Sequence, residues 1–118
     1  MAKAVPITID QGTTWIVVMT LKSGAGAWDL TDYEFRMQIR TSAQSTTIIA
    51  EPTCTILDAT AGELQIKLTA TETSVIPATG AGYADVTEYY YDVEMESAAG
   101  TVWRLMNGPI YVSPEVTK

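Results

Sequence analysis

Asp92, Glu94 and Glu96 stand two residues apart in "EYYYDVEME" (88–96), a spacing that puts three carboxylates on one face of a strand. Paired carboxylates are what a glycosidase uses, one of them held in an apolar pocket that raises its pKa. The same spacing describes any solvated strand face, and that is the simpler reading. Other catalytic chemistry is limited by what the chain lacks. It has no histidine, so a Ser-His-Asp or Cys-His nucleophile is excluded within it. Cys54 is its only cysteine; it forms no internal disulfide and, without histidines, anchors no ordinary zinc site. Asp29 and Asp32 in "WDLTDY", with Asp85 and Glu88 near a later loop, are the acids closest to a calcium pattern. They lack the spacing of a calcium loop. Asp29 and Asp32 read instead as turn residues whose carboxylates accept backbone N–H bonds. The expectation is therefore no enzyme, no metal and no cofactor.

Binding is the remaining chemistry. On strand alternation Tyr89, Tyr91, Val93 and Met95 share one face, and Glu88, Tyr90, Asp92, Glu94 and Glu96 share the other. The first set reads as core. The second, acidic with one aromatic, is the candidate partner-contact face, and cross-strand bases such as Arg36, Arg40 or Arg104 decide whether it is neutralised inside the domain. Val5 and Ile7, in an N-terminal strand broken by Pro6, are candidate edge contacts. Trp28 and Tyr83, in or beside glycine-containing loops, are candidate anchors, since Trp and Tyr carry much interface energy. These aromatics also allow a carbohydrate-binding reading.

Charge narrows the partners. Fourteen acids against seven bases give a net charge of −7, and the bases are scattered, which argues against nucleic acid and against an anionic membrane surface. No apolar segment approaches the roughly 20 residues that cross a bilayer, and the N-terminal residues show no secretory signal. With 47% hydrophobic and 18% charged residues over 118 positions, one domain spanning 1–118 with one core is expected.

The elements that must position these groups are strands. "EFRMQIR" (34–40) and "ELQIKLT" (63–69) alternate apolar and polar residues without interruption. "VPITI" (5–9) reads as an edge strand. "TTWIVVMTL" (13–21) is apolar on both faces and reads as a central strand. "TTIIA" (46–50), "TCTIL" (53–57), 88–96, 101–106 and 109–113 complete the set, with Cys54 beside Ile56 as a small buried residue. Turn signals separate them, including "SAAG" (97–100) and "NG" (107–108). Near 70–76, Thr69 and Glu72 form a capping box and Pro77 ends the segment, so one short helical turn is expected between sheets. About 8–9 antiparallel strands with turns this frequent predict an all-β, immunoglobulin-like sandwich.

Five segments, "ITIDQGTTW" (7–15), "WDLTDYEFRMQIR" (28–40), "GELQIKLTATET" (62–73), "YYYDVEME" (89–96) and "GTVWRLMNGPIYVSPEVTK" (100–118), follow an order found in small structural proteins of tailed bacteriophages. The chain resembles these over nearly its whole length, and is similar to the N-terminal immunoglobulin-like domain of phage baseplate upper proteins. Two departures stand out. Asp32 replaces the glycine common after "DLT", and the loop "PATGAGYADVTE" (77–88) is extended. The resemblance implies a non-enzymatic virion protein, made in the host cytoplasm, that serves as a tail, baseplate or fibre-adaptor module. Its implied partners are other phage structural proteins and further copies of itself. A capsid-decorating role and a carbohydrate-binding module are the alternatives.

Overall fold

The computed structural model describes residues 3–24, 26–82 and 84–117. In chain order its elements are β1 (Lys3–Ala4), β2 (Ile7–Asp10), β3 (Trp15–Thr20), β4 (Lys22–Ser23), β5 (Gly26–Ala27), β6 (Glu34–Arg40), β7 (Ile48–Ala50), β8 (Thr53–Asp58), β9 (Glu63–Leu68), α1 (Ala70–Ser74), β10 (Thr87–Glu96) and β11 (Val102–Ser113). One sheet runs β1-β11-β10-β6-β7, with β2 also on β11; a second runs β3-β9-β8; β4 and β5 form a small ribbon. The fold is the all-β, immunoglobulin-like sandwich expected from the sequence.

Alternation decides which side chains fill it. Met37 and Ile39 of β6, Leu64, Ile66 and Leu68 of β9, Tyr89, Tyr91, Val93 and Met95 of β10, and Ile110 and Val112 of β11 are buried, along with Ile9, Leu30 and Ile76. Each such aliphatic side chain contributes about 1.5–3 kcal/mol through its removal from water. The intervening residues Arg36, Gln38, Arg40, Glu63, Gln65 and Lys67 face outward.

The crossover from β9 to β10 is α1, and its start is the predicted capping box. The Thr69 hydroxyl accepts the Glu72 N–H at 3.1 Å, and the Glu72 carboxylate accepts the Thr69 N–H at 2.8 Å. Thr73, fully buried, donates to the Thr13 carbonyl at 2.7 Å and accepts the Gly12 N–H at 3.0 Å, which ties the helix to the β2–β3 turn. Beyond Pro77, Tyr89 at the start of β10 donates its hydroxyl to the Pro77 carbonyl at 2.5 Å. That bond holds the crossover against the sheet in the manner of a tyrosine corner.

Three expectations are corrected. The "NG" at 107–108 is no turn: β11 runs through it, and 101–106 and 109–113 belong to one strand. A Cβ on Gly108 would lie 2.6 Å from the Val5 carbonyl oxygen, so the glycine serves close approach of the N-terminal strand rather than chain reversal. Second, β1 and β2 pair with β11 in parallel, with Lys3 opposite Met106 and Ile7 opposite Ile110, so the sandwich is not antiparallel throughout. Third, "TTWIVVMTL" is not central. β3 lies at the edge of the three-stranded sheet, and Ile16 and Val18 on its outer face are 48% and 54% exposed. An apolar outer face looks the same in sequence whether a layer covers it or not.

The "DLTD" segment is a turn, as expected. Asp29 accepts the Thr31 N–H at 2.9 Å and the Thr31 hydroxyl at 2.6 Å, and these bonds, the hydroxyl first, hold its carboxyl below the usual aspartate range. Asp32 takes φ +67° and the Tyr33 N–H donates to the Leu30 carbonyl. Aspartate thus occupies a left-handed position of the kind that favours glycine.

Candidate functional site

The acidic face of β10 lies in the middle of the six-stranded sheet, between β6 and β11, and the register sets what meets each acid. Tyr90 stands opposite Arg40, Asp92 opposite Gln38, Glu94 opposite Arg36 and Glu96 opposite Glu34 on one side. On the other, Asp92 faces Asn107 and Glu94 faces Arg104 across a bulge between Val93 and Glu94. The chain's only three arginines therefore converge on this one face. Together with the segment at Ser42 and Ala43 they border a groove of about 430 Å³, which also includes Tyr90, Asp92, Glu94, Asn107 and Gly108.

Most of the acids are neutralised within the domain. Arg36 donates from Nε to Glu94 at 2.9 Å and from Nη1 to Glu96 at 2.7 Å, and its guanidinium is held even more firmly charged by these bonds, Glu96 first. Arg104 Nε lies 3.5 Å from Asp92 Oδ2. Burial pushes the Asp92 carboxyl above its usual range, aided by neighbouring Glu94, while Arg104, Arg40 and Arg36 pull it back. Arg40 makes different contacts. It donates to the Ser45 carbonyl at 2.9 Å and to Gln38 Oε1 at 2.8 Å, both uncharged acceptors, so its positive charge opens onto the groove. Tyr90, 43% exposed, stands opposite it in the ladder. A hydrogen bond with Glu88, and that carboxylate's charge, push the Tyr90 hydroxyl above its usual pKa.

The strand alternation thus located Glu88, Tyr90, Asp92, Glu94 and Glu96 on one face, and the structure brings them together with the arginines. Gln38, Asn107 and the Ser42–Ala43 wall were not singled out. Their presence depends on register, which alternation in β6 and β11 leaves undetermined. The other candidates are elsewhere. Val5 and Ile7 are half-buried: the Val5 N–H donates to the Asn107 carbonyl at 2.9 Å and its carbonyl accepts the Tyr91 hydroxyl at 2.6 Å, while Ile7 packs on the core. Trp28 is also half-buried and packs edge-on against Tyr33 and Trp103, with ring centroids 6.0 and 6.1 Å away. Tyr83 lies outside the described residues. Cys54 is half-buried on β8, opposite Ile66 of β9, and burial pushes its thiol up to about 11, leaving it protonated and unreactive at neutral pH.

Among the described residues no group of three or more acids or cysteines is placed to hold a metal ion, and no helix is long and apolar enough to cross a membrane. No protein-family model matches the chain, and no curated protein sequence matches it. Among solved structures it is similar to the crystal structure of CopC from Methylosinus trichosporium OB3b, at 14% identity and a TM-score of 0.45, over 95% of this chain and 89% of that one.

Proposed function

We propose that this chain is a non-enzymatic structural module of a tailed-bacteriophage particle, an adaptor in the tail, baseplate or fibre-attachment region that works through protein–protein contacts. The observation that carries the reading is the outer face of the six-stranded sheet. There a ladder of side chains on β6, β10 and β11 presents Tyr90 and Arg40 beside internally paired carboxylates. Tyr and Arg are the residue types that most often anchor interfaces. The arginine-bound acids suit a fixed, pre-ordered surface better than acid–base chemistry, because Glu94 and Glu96 share one cation. The phage assignment itself comes from the sequence resemblance, with the virion as its location.

Purified particles of the source phage provide the test. Mass spectrometry of washed virions is expected to find the chain, and cryo-electron microscopy to place it at the tail or baseplate with this face against a neighbour. A chain that is expressed but missing from particles sinks the proposal. Decoration of the capsid is the second structural reading and would appear as density on the head. For a carbohydrate module the arrangement of Trp28, edge-on to Tyr33 and Trp103, with those two rings tilted 51° to each other, is unfavourable, since the three rings share no common plane for a sugar ring.

A further inference from the structure

The geometry points to β3 as a self-pairing edge: two copies of this chain join β3 to β3, antiparallel about Val17, fusing two three-stranded sheets into one of six strands. This rests on the assembly reading and names one of its contacts.

Among the described residues β3 pairs only with β9, so its other side presents unpaired backbone donors and acceptors. Edge strands are ordinarily guarded by charge, proline or a bulge. "WIVVMT" has no charge and no proline, and its register with β9 is continuous from Trp15 opposite Leu68 to Thr20 opposite Glu63. Both of its faces are also incompletely covered. Ile16 and Val18 are half exposed on the outside. On the inside Trp15, Val17 and Met19 keep partial exposure, whereas their β9 partners Leu68, Ile66 and Leu64 are 0–1% exposed. An apolar cavity of about 90 Å³ opens in the seam between this edge and Val5 and Ile7.

A second copy fits this edge better than an unrelated strand because the strand is complementary to itself. Opposed residues in an antiparallel pair point to the same face, so the two-fold axis must pass through a residue. Centred on Val17, it sets Trp15 against Met19, Ile16 against Val18 and Val17 against its own copy, apolar against apolar from 15 to 19, with Thr20 against Thr14 at the ends. Moving the axis by one residue sets Ile16 against Thr20 or Val18 against Thr14. For a chain of net charge −7, an uncharged edge such as β3 approaches its own copy without like-charge repulsion along the strand itself.

The experiment is sedimentation of the full chain across a wide concentration range. The mass is expected to rise from 12.8 kDa towards twice that value. Ile16→Lys combined with Val18→Lys puts like charges face to face across the strand pair and is expected to weaken association by about tenfold or more, with the circular dichroism spectrum and melting of the monomer unchanged. Val18→Glu, a single change at the more exposed position, gives the same readout if the double variant does not fold. A chain that stays monomeric at every concentration overturns the proposal, and so does a dimer that both variants leave intact. Neither result touches particle incorporation, which virion proteomics decides separately.

Discussion

On the outer face of the six-stranded sheet, Arg36, Arg40 and Arg104 interleave with Asp92, Glu94 and Glu96, and nearly every charge meets its opposite. On the outer face of the three-stranded sheet, Ile16, Val18 and Leu57 lie 48%, 54% and 49% exposed, and among the described residues the only neighbour in register with Ile16 and Val18 is β9. The edges differ in the same way. The β1/β2 side of the larger sheet is fastened by a hydrogen bond from Tyr91 to Val5 and by the missing side chain of Gly108, while β3 is left open. Order that the domain supplies for itself stabilises the fold. Order that it withholds is available to a partner.

The strongest way to break that contrast is at the fastened edge. Gly108→Val drives side-chain atoms into the Val5 carbonyl and is expected to cost on the order of 3 kcal/mol, read as a lower urea midpoint at unchanged slope. Next comes the hydroxyl at the same edge. Burial pushes the Tyr91 hydroxyl up to about 12, above the ordinary tyrosine range. The folded state thus holds that proton more tightly than the unfolded chain does, so stability is fully present below pH 10 and is lost as pH rises towards 12. The loss is roughly 2–3 kcal/mol. Tyr91→Phe should flatten that part of the pH dependence of unfolding, and an unaltered alkaline slope in the variant would assign the loss to other groups.

A smaller effect is expected on the charged face. Arg36→Met removes two ion pairs, but the Arg36 side chain is 42% exposed and water screens them, so a cost of about 0.5–1 kcal/mol is expected, shrinking in high salt. Smallest of all is Ile16→Thr on the open edge. With the outer face uncovered, monomer stability should change by no more than about 0.5 kcal/mol. A large loss there would mean that β3 is already covered, and the contrast between the two sheets would collapse.

Much of this architecture was legible in sequence because its signals are local. The period-2 patterns of β6 and β9 and the Thr69–Glu72 capping box involve residues within one segment, and each formed where its own chemistry predicts. What escaped is set between segments. Asn107–Gly108 has the composition of a turn, and only the passage of Val5 over Gly108 explains why the strand continues. The acidic face of β10 was readable from alternation, yet the pairing of Glu94 and Glu96 with Arg36 rather than with a partner is a fact of register. β3 was misjudged for a related reason: a strand apolar on both faces is the pattern of a buried strand, and equally of one whose second neighbour is not in its own chain.

The parallel pairing of the N-terminal strands with β11 has a mechanical consequence. Lys3 lies beside Met106 and Asp10 beside Ser113, so the chain enters this pair at one end, through β1, and leaves it at the other, through β11. Tension applied between them would slide β1 and β2 along β11, straining all the hydrogen bonds of that ladder together instead of opening them one at a time. A component strung between neighbours by its ends would yield there only when the whole ladder fails at once.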